Sequence, residues 1–295
     1  MALTDSLSHG RPLRPALTRL AVVVALALGT VAAGQAADAH AVRTVADVPY
    51  LGENGPLLDV HRRAGATRPA PAVMVVHGGS WRSGSKRRMS AISRVIAGQG
   101  FVVFNVGYRL VTPDRPGLRR QQDDLRAAVR WIRANARRFH VDPRRVGALG
   151  SSAGGHLVSL LATRGTGPVT EGARLRAAVT WSAPFDLSPL RPLWLGGAVE
   201  NLLGCAPRDC EAERAAASPV EHVSPDDPSM LIANSRDEVI PSSQALAMAG
   251  RLAAAGVEHR VRMLPGSRHG TEYARAMLPA TVAFLERVLR PRGLR

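Results

Sequence analysis

The sequence predicts an α/β protein, a mostly parallel central sheet flanked by helices and carrying a short cap-like insertion. Two observations lead there. Continuous apolar runs of strand length, such as residues 72–77, 101–108 and 177–183, alternate with stretches whose apolar residues recur at helical spacing. That rhythm is the mark of strand–helix–strand crossovers. In addition, the apolar run from Arg145 to Gly150 leads through Ser151-Ser152-Ala153-Gly154-Gly155-His156 into a further helical stretch. A serine between small residues therefore occupies a sharp strand-to-helix turn, its hydroxyl exposed and the next amide free to donate.

At 295 residues the chain suits one large α/β domain, and a hydrophobic fraction of 45% with 4% aromatic residues indicates a core of Val, Leu, Ala and Ile rather than disorder. Arg11, Arg14 and Arg19 precede an uncharged run from Leu20 to Ala37, which is followed by Ala37-Asp38-Ala39 and Ala39-His40-Ala41. This is the layout of a secretory signal peptide, so residues 1–41 are expected to be the signal and residues 42–295 the exported domain. The run approaches bilayer-spanning length, which makes a membrane anchor through residues 20–37 the competing reading. Gly29, Thr30, Gly34 and Gln35 weaken it.

Export bears on Cys205 and Cys210, the two cysteines of the chain. In an oxidising compartment a local disulfide is expected, and no second pair is present to complete a metal site. The net charge of +16 is largely that of the domain, since residues 1–41 hold three arginines and two aspartates. Without a basic tail, a nucleic-acid module or many aromatic residues, nucleic acid is not the expected partner. The charge reads as a solvated, arginine-rich surface, with attraction to anionic cell-wall polymers or lipid headgroups as the weaker functional reading.

In chain order, two extended runs between Val42 and Arg63, separated by Gly52-Glu53-Asn54-Gly55-Pro56, read as a hairpin at the sheet edge. The run ending at His77 is a buried strand. It opens into Gly78-Gly79-Ser80-Trp81, whose backbone can turn its amides toward a common point, as an oxyanion requires. A helix with Met89, Ile92, Val95 and Ile96 on one face stops at Gly98-Gln99-Gly100, and another buried strand follows to Tyr108. Leu125, Ala128, Val129, Ile132 and Ala136 mark the next helix, on which Arg126, Arg130, Arg133 and Arg137 form a separate, solvated stripe. Val141-Asp142-Pro143 is a turn into the serine-bearing strand.

The helix after the serine runs to about Thr163. Residues 184–228 break the rhythm with prolines, Gly196-Gly197 and both cysteines, which suits a cap or binding insertion too short for its own core. Residues 229–235 resume the strand pattern, and Asp237 follows at once. A helix over 241–255, a strand over 259–264 and the loop Pro265-Gly266-Ser267-Arg268-His269-Gly270 lead to a final helix from about Tyr273 to Leu289, with Leu278, Val282, Leu285 and Val288 toward the sheet.

A serine hydroxyl needs a base to remove its proton, and the base needs a partner that fixes its tautomer. His269 and Asp237 each lie just beyond a strand, on the sheet edge where Ser152 emerges, so the three can converge. The order serine, acid, histidine is the expected one. Glu238 is the alternative acid, ranked below Asp237 on motif position. His156, one helical turn past Ser152, reads as a packed helix residue, and Asp186 and His222 as pocket or surface groups of the insertion.

Together the chain resembles serine esterases of the α/β-hydrolase superfamily, on the branch of hormone-sensitive-lipase-like and carbohydrate-esterase-like enzymes. The likeness rests on His77-Gly78-Gly79-Ser80-Trp81, Tyr108-Arg109-Leu110, Asp124, Gly150-Ser151-Ser152-Ala153-Gly154-Gly155, Ser218-Pro219, Asp237 with Pro241, and His269-Gly270. The resemblance implies Ser152 as nucleophile, His269 as base, Asp237 as its orienter, and the amides of Gly79, Ser80 and Ala153 as the oxyanion hole. Ser80 stands where lipase-like members have a third glycine, Ser151 where that branch often has an acid, and Asn234-Ser235 where it often has histidine-glycine. The histidine-glycine-glycine-x-tryptophan form is closer to feruloyl or acetyl esterases and to formamidases. The expectation is a secreted carboxylic-ester hydrolase without cofactor or metal, acting on a small-molecule or polysaccharide-linked ester. Alternatives are a non-catalytic, hydrolase-fold binding module of the cell envelope and a lipase- or formamidase-type hydrolase.

Overall fold

The computed structural model describes residues 41–112, 114–188, 197–205 and 210–290. The expected signal segment thus lies outside the described residues, apart from Ala41. The strands are β1 (Val42–Pro49), β2 (Leu57–Arg63), β3 (Ala70–Val76), β4 (Val102–Val106), β5 (Val141–Ser151), β6 (Ala177–Trp181), β7 (Ser229–Ser235) and β8 (His259–Leu264). They form one sheet in the order β1-β2-β4-β3-β5-β6-β7-β8. β1 and β2 make the edge hairpin and β2 joins β4 antiparallel, while every pairing among β3 to β8 is parallel. Parallel strands need crossovers, and the helices supply them.

Side chains alternate along each strand, so the sheet buries both faces. Met74 and Val76 of β3 join the core under the helices α2 (Leu118–Ala134), α3 (Ala136–Phe139), α4 (Ala153–Thr163) and α7 (Ser242–Ala254). Val73 and Val75 join the opposite core, under α1 (Ser90–Gly98) and α8 (Ala274–Leu289). The interrupted region contributes α5 (Ala198–Leu203) and α6 (Glu211–Ala217), tied together by an ion pair between Arg214 and Glu200. Cys205 and Cys210 are joined by a disulfide. Among the described residues no helix is long and apolar enough to cross a membrane.

Three details differ from the sequence expectation. The turn expected at Val141-Asp142-Pro143 is a bulge within β5: Val141 pairs with Ala70, and pairing resumes at Val146 opposite Ala72. Asp142 organises it by accepting from the Arg144 amide at 3.0 Å and from Arg145 Nε at 2.7 Å.

The arginine stripe of α2 and α3 is not uniformly solvated. Arg133 donates to the carbonyls of Pro143 and Arg174, each at 2.8 Å, and of Val169 and Gly172, each at 3.2 Å. A guanidinium has five donors in one plane, enough to tie two loops to a helix at once. Burial lowers its proton affinity, though not enough to neutralise so strong a base.

On α8 the fully buried positions are Met277, Thr281, Phe284, Leu285 and Leu289, whereas Leu278, Val282 and Val288 are only partly covered. The face is rotated toward Thr281, whose hydroxyl accepts from the indole N–H of the buried Trp181 at 3.2 Å.

Candidate active site

β5 delivers Ser152 to a turn with φ 53° and ψ −123°, outside ordinary helix and strand conformations. Its amide donates to the Trp181 carbonyl at 2.7 Å, which fixes the bend against β6. The flanking glycines are steric necessities. A Cβ at Gly150 would lie 2.2 Å from the Gly154 carbonyl oxygen, and one at Gly154 would lie 2.4 Å from that of His77.

The loop after β3 closes over this turn. A Cβ on Gly78 would lie 2.8 Å from the Ser151 carbonyl oxygen and 2.9 Å from Ser152 Cβ, so only glycine lets the loop approach Ser152 this closely. Gly79, Ser80 and Trp81 follow with φ of 128°, 49° and 60°, a run of left-handed residues that turns the backbone sharply. Ser83 Oγ and the amides of Arg82 and Ser83 all bond to the Gly79 carbonyl, holding the curl from below. Ala153 opens α4, where its amide has no partner within the helix.

Two side chains hold this loop in place. His77 is buried and stacks on Tyr108 with ring centroids 4.3 Å apart, and the Tyr108 hydroxyl donates to the His77 carbonyl at 3.0 Å. Burial keeps the His77 imidazole neutral by lowering its proton affinity. Trp81, also buried, donates its indole N–H to His156 Nδ1 at 3.2 Å. That bond fixes the His156 tautomer, so Nε2–H donates to the Ala217 carbonyl at 2.8 Å. His156 is thus a packed helix residue that ties the glycine loop to α6. Burial pushes its pKa down to about 4.

The base side departs from expectation. His269 Nδ1 lies 2.5 Å from Oε2 of Glu238, not from Asp237. The Glu238 side chain is fully buried, while Asp237 is exposed. The cause is the turn after β7. The Asp237 amide is tied to the Gly266 carbonyl at 3.2 Å and its side chain faces solvent. One residue on, Glu238 points inward, where its Oε1 accepts from the Ser235 amide at 2.7 Å and from Ser182 Oγ at 2.8 Å. The carboxylate that His269 contacts is therefore Glu238 and not the sequence-preferred Asp237.

Ser182 and Tyr273 were not singled out from the sequence. Besides donating to Glu238, Ser182 Oγ accepts from the Gly270 amide at 2.7 Å and lies 2.8 Å from the Tyr273 hydroxyl. The Ala233 carbonyl, 3.0 Å from the Tyr273 hydroxyl, can only accept, so the single Tyr273 proton is shared between that carbonyl and Ser182 Oγ, whose own proton goes to the carboxylate. Burial raises the Tyr273 pKa far above the physiological range, so it stays a donor. Gly270 packs so closely that a Cβ there would lie 2.6 Å from Ser151 Oγ. The histidine loop thus rests directly against the nucleophile turn. Among the described residues no group of three or more His, Cys, Asp or Glu could hold a metal ion.

Asp186 accepts from the Ser188 amide and the half-buried His222 bonds to the Ala216 carbonyl, both local contacts of the insertion. α5 and α6 border a cavity of about 540 Å³ lined by residues that include Leu118, Gln122, Arg164 and Leu202, and none of its lining residues is Ser152, Glu238 or His269.

The sheet order, the serine turn and the glycine loop together define an α/β-hydrolase. The chain belongs to the BD-FAE family, whose model matches residues 58–252. Esterase LipC of Mycobacterium tuberculosis is 32% identical over 240 residues, covering 76% of this chain and 59% of that protein. Esterase LipU of the same organism is 29% identical over 250 residues, covering 77% and 80%. The chain spans 59% of LipC and 49% of a second relative, the probable carboxylic ester hydrolase LipM. Among solved structures, a truncated carbohydrate esterase from gut microbiota superposes with a TM-score of 0.73 at 21% identity, covering 84% of this chain and 96% of that one. The propionate-bound esterase Est2 of Thermogutta terrifontis does so with a TM-score of 0.70 at 25% identity, covering 85% and 97%.

Proposed function

We propose that this chain is an exported serine carboxylesterase acting through an acyl-enzyme. What supports the reading is the set of features around Ser152: a strained serine turn, a glycine loop closed over it, and a His269–Glu238 pair whose loop packs on Ser151. With Nδ1–H held by Glu238, His269 Nε2 is left as an acceptor. It takes the Ser152 proton as Oγ attacks the ester carbonyl, and buried Glu238 supports the imidazolium that forms. The amides of Gly79, Ser80 and Ala153 receive the oxyanion. His269 then protonates the departing alkoxide, and water, activated by the same imidazole, releases the acid and restores Ser152.

Esterases recur among the relatives and structural neighbours, which supports ester bonds over amides. The N-terminal layout and the Cys205–Cys210 disulfide support export. An extracellular carboxylic ester, a small molecule or an acylated polysaccharide, fits both. The test is hydrolysis of p-nitrophenyl acetate, butyrate and octanoate by the purified protein beside a folded Ser152→Ala variant. Turnover is expected to vanish in the variant. Equal rates in the two proteins would remove Ser152 from the mechanism.

A further inference from the structure

We propose that Gln121 is a positioning residue for the oxyanion hole and sets the direction of the Ser80 amide through two peptide units, an inference that rests on the esterase reading above. Gln121 lies in the first turn of α2, four residues before Leu125, on the buried stripe that Leu125, Val129 and Ile132 continue. Helical spacing asks for an apolar side chain there. Instead a fully buried amide donates to the Trp81 carbonyl at 2.8 Å and to the Arg109 carbonyl at 2.9 Å. Both partners can only accept, so the NH₂ end is the one that faces them. The other end, Oε1, has no partner among the described residues. A buried acceptor left in that way costs stability, which an apolar residue of similar size would avoid. The reason for an amide at this position therefore lies in its two donors.

The bond at Trp81 reaches the oxyanion hole through rigid links. A peptide unit is planar, with its C=O and N–H pointing opposite ways, so turning one end turns the other. The Trp81 carbonyl, held by Gln121 and by the Val111 amide at 3.0 Å, shares its unit with the Arg82 amide. That amide donates to the Gly79 carbonyl at 3.2 Å. The Gly79 carbonyl in turn shares its unit with the Ser80 amide, one of those proposed to receive the oxyanion. Two planar units in series thus connect the Gln121 side chain to a group at the reacting centre. Ser80 and Trp81, which lie between them, have φ of 49° and 60°, conformations that persist only where surrounding contacts impose them. Gln121 supplies such a contact from α2, and its second bond fixes it to the segment that follows β4.

The adjacent residue separates positioning from packing. Gln122 is buried as well, and its Oε1 likewise has no partner among the described residues. Its amide donates to the Leu157 carbonyl of α4 at 3.0 Å, so its bond leads to a helix and not to the glycine loop. Removing either amide takes one buried donor group from the same turn of α2. Only the loss at Gln121 frees the Trp81–Arg82 peptide.

The test compares wild type, Gln121→Met, Gln121→Asn, Gln122→Met and Ser152→Ala in the hydrolysis of one p-nitrophenyl ester, with thermal melts to establish folding. Methionine fills the space without an N–H, and asparagine keeps an amide on a chain one carbon shorter, so a folding failure of one leaves the other to decide. In the Gln121 variants kcat is expected to fall about ten- to a hundred-fold with KM within about twofold, short of the roughly 10²- to 10³-fold cost of deleting an oxyanion donor. Inhibition by a trifluoromethyl ketone should weaken by the same factor as kcat/KM. In that adduct Ser152 Oγ bonds to the carbonyl carbon, the serine proton passes to His269 and the carbonyl oxygen becomes the anion held by the amides. Gln122→Met should keep kcat within about twofold of wild type. Wild-type kcat in the Gln121 variants, or an equal loss in Gln122→Met, would overturn the positioning role. Unchanged ketone affinity beside a lowered kcat would overturn it too, because the oxyanion geometry would then be intact. With Ser152→Ala inactive, those results leave the esterase reading standing. A wild type no faster than Ser152→Ala would remove that reading and this inference with it.

Discussion

The two halves of the site are built by different means. On the nucleophile side the work is done by backbone: left-handed φ at Gly79, Ser80, Trp81 and Ser152, and glycines at 78, 150 and 154 where a Cβ would strike a neighbouring carbonyl. On the base side it is done by side chains: Glu238, Ser182 and Tyr273, joined to the amides of Ser235 and Gly270 in a buried network. A strained backbone restricts which residue types can occupy it. A polar network accepts any geometry that satisfies its donors and acceptors, so its members can be ordinary residues in ordinary places.

The largest test of that contrast is the acid. Glu238→Ala should lower kcat by about 10³- to 10⁴-fold, because His269 loses both the partner that orients it and the charge that supports its protonated form. Asp237→Ala should leave kcat close to wild type, since that side chain is exposed. Steady-state kinetics on one p-nitrophenyl ester with both variants decides it. A strong loss in Asp237→Ala would return the orienting role to that residue.

The same contrast explains what was legible in the sequence. The sheet, its crossovers and the serine turn were readable because apolar runs of strand length and glycine spacing are local marks. His77 to Trp81 stood out for the same reason. In the sequence Glu238 ranks below Asp237, because nothing local shows which of two adjacent turn residues faces in; in the fold the Asp237 amide bonds the Gly266 carbonyl and Glu238 turns inward. Ser182 and Tyr273 left no mark, since their partners lie 56 and 91 residues apart along the chain and nothing local requires a serine or a tyrosine there. Arg133 was misread for a related reason: helical periodicity locates a face but does not show which loops later cover it.

A smaller effect tests the tie between the halves and the insertion. His156 is buried, with its pKa lowered from 6.5 to about 4 by desolvation. Because the folded state binds this proton less readily than the unfolded chain, the neutral form favours folding above pH 6.5. Below it stability falls, and the penalty is complete beneath pH 4, at about 3 kcal/mol. His156→Asn should therefore be less stable at pH 7, yet lose less stability than wild type when the pH is lowered to 4. Urea unfolding at both values measures this. Parallel losses in the two proteins would remove His156 as an acid-sensitive element.

On the backbone half, Gly78→Ala should cost about 100-fold in kcat/KM, the scale of a displacement of about 1 Å at a reacting centre. Its effect should lie in kcat more than KM, since the added methyl shifts the amides proposed to receive the oxyanion rather than a substrate-binding surface. A variant that keeps wild-type kcat would show that the loop relaxes around the methyl.

The smallest expected effect is the most informative about the network. Tyr273→Phe deletes one hydroxyl, whose single proton is shared between Ser182 Oγ and the Ala233 carbonyl, but leaves the Ser182–Glu238 bond in place. One buried hydrogen bond is worth about 1 kcal/mol. Stability should fall by that amount and kcat by less than about tenfold. Ser182→Ala goes one link closer, removing a donor to the carboxylate itself and the acceptor for the Gly270 amide. Glu238 would then be less well satisfied as an anion, and the His269 loop would lose an anchor. The kcat should therefore fall further than in Tyr273→Phe, since the added loss lies on the group that orients His269. Equal losses in the two variants would show that the hydroxyls act as one unit. No loss in either would show that the network only holds the loop, and that the Ser235 amide with the His269 contact suffices to set Glu238.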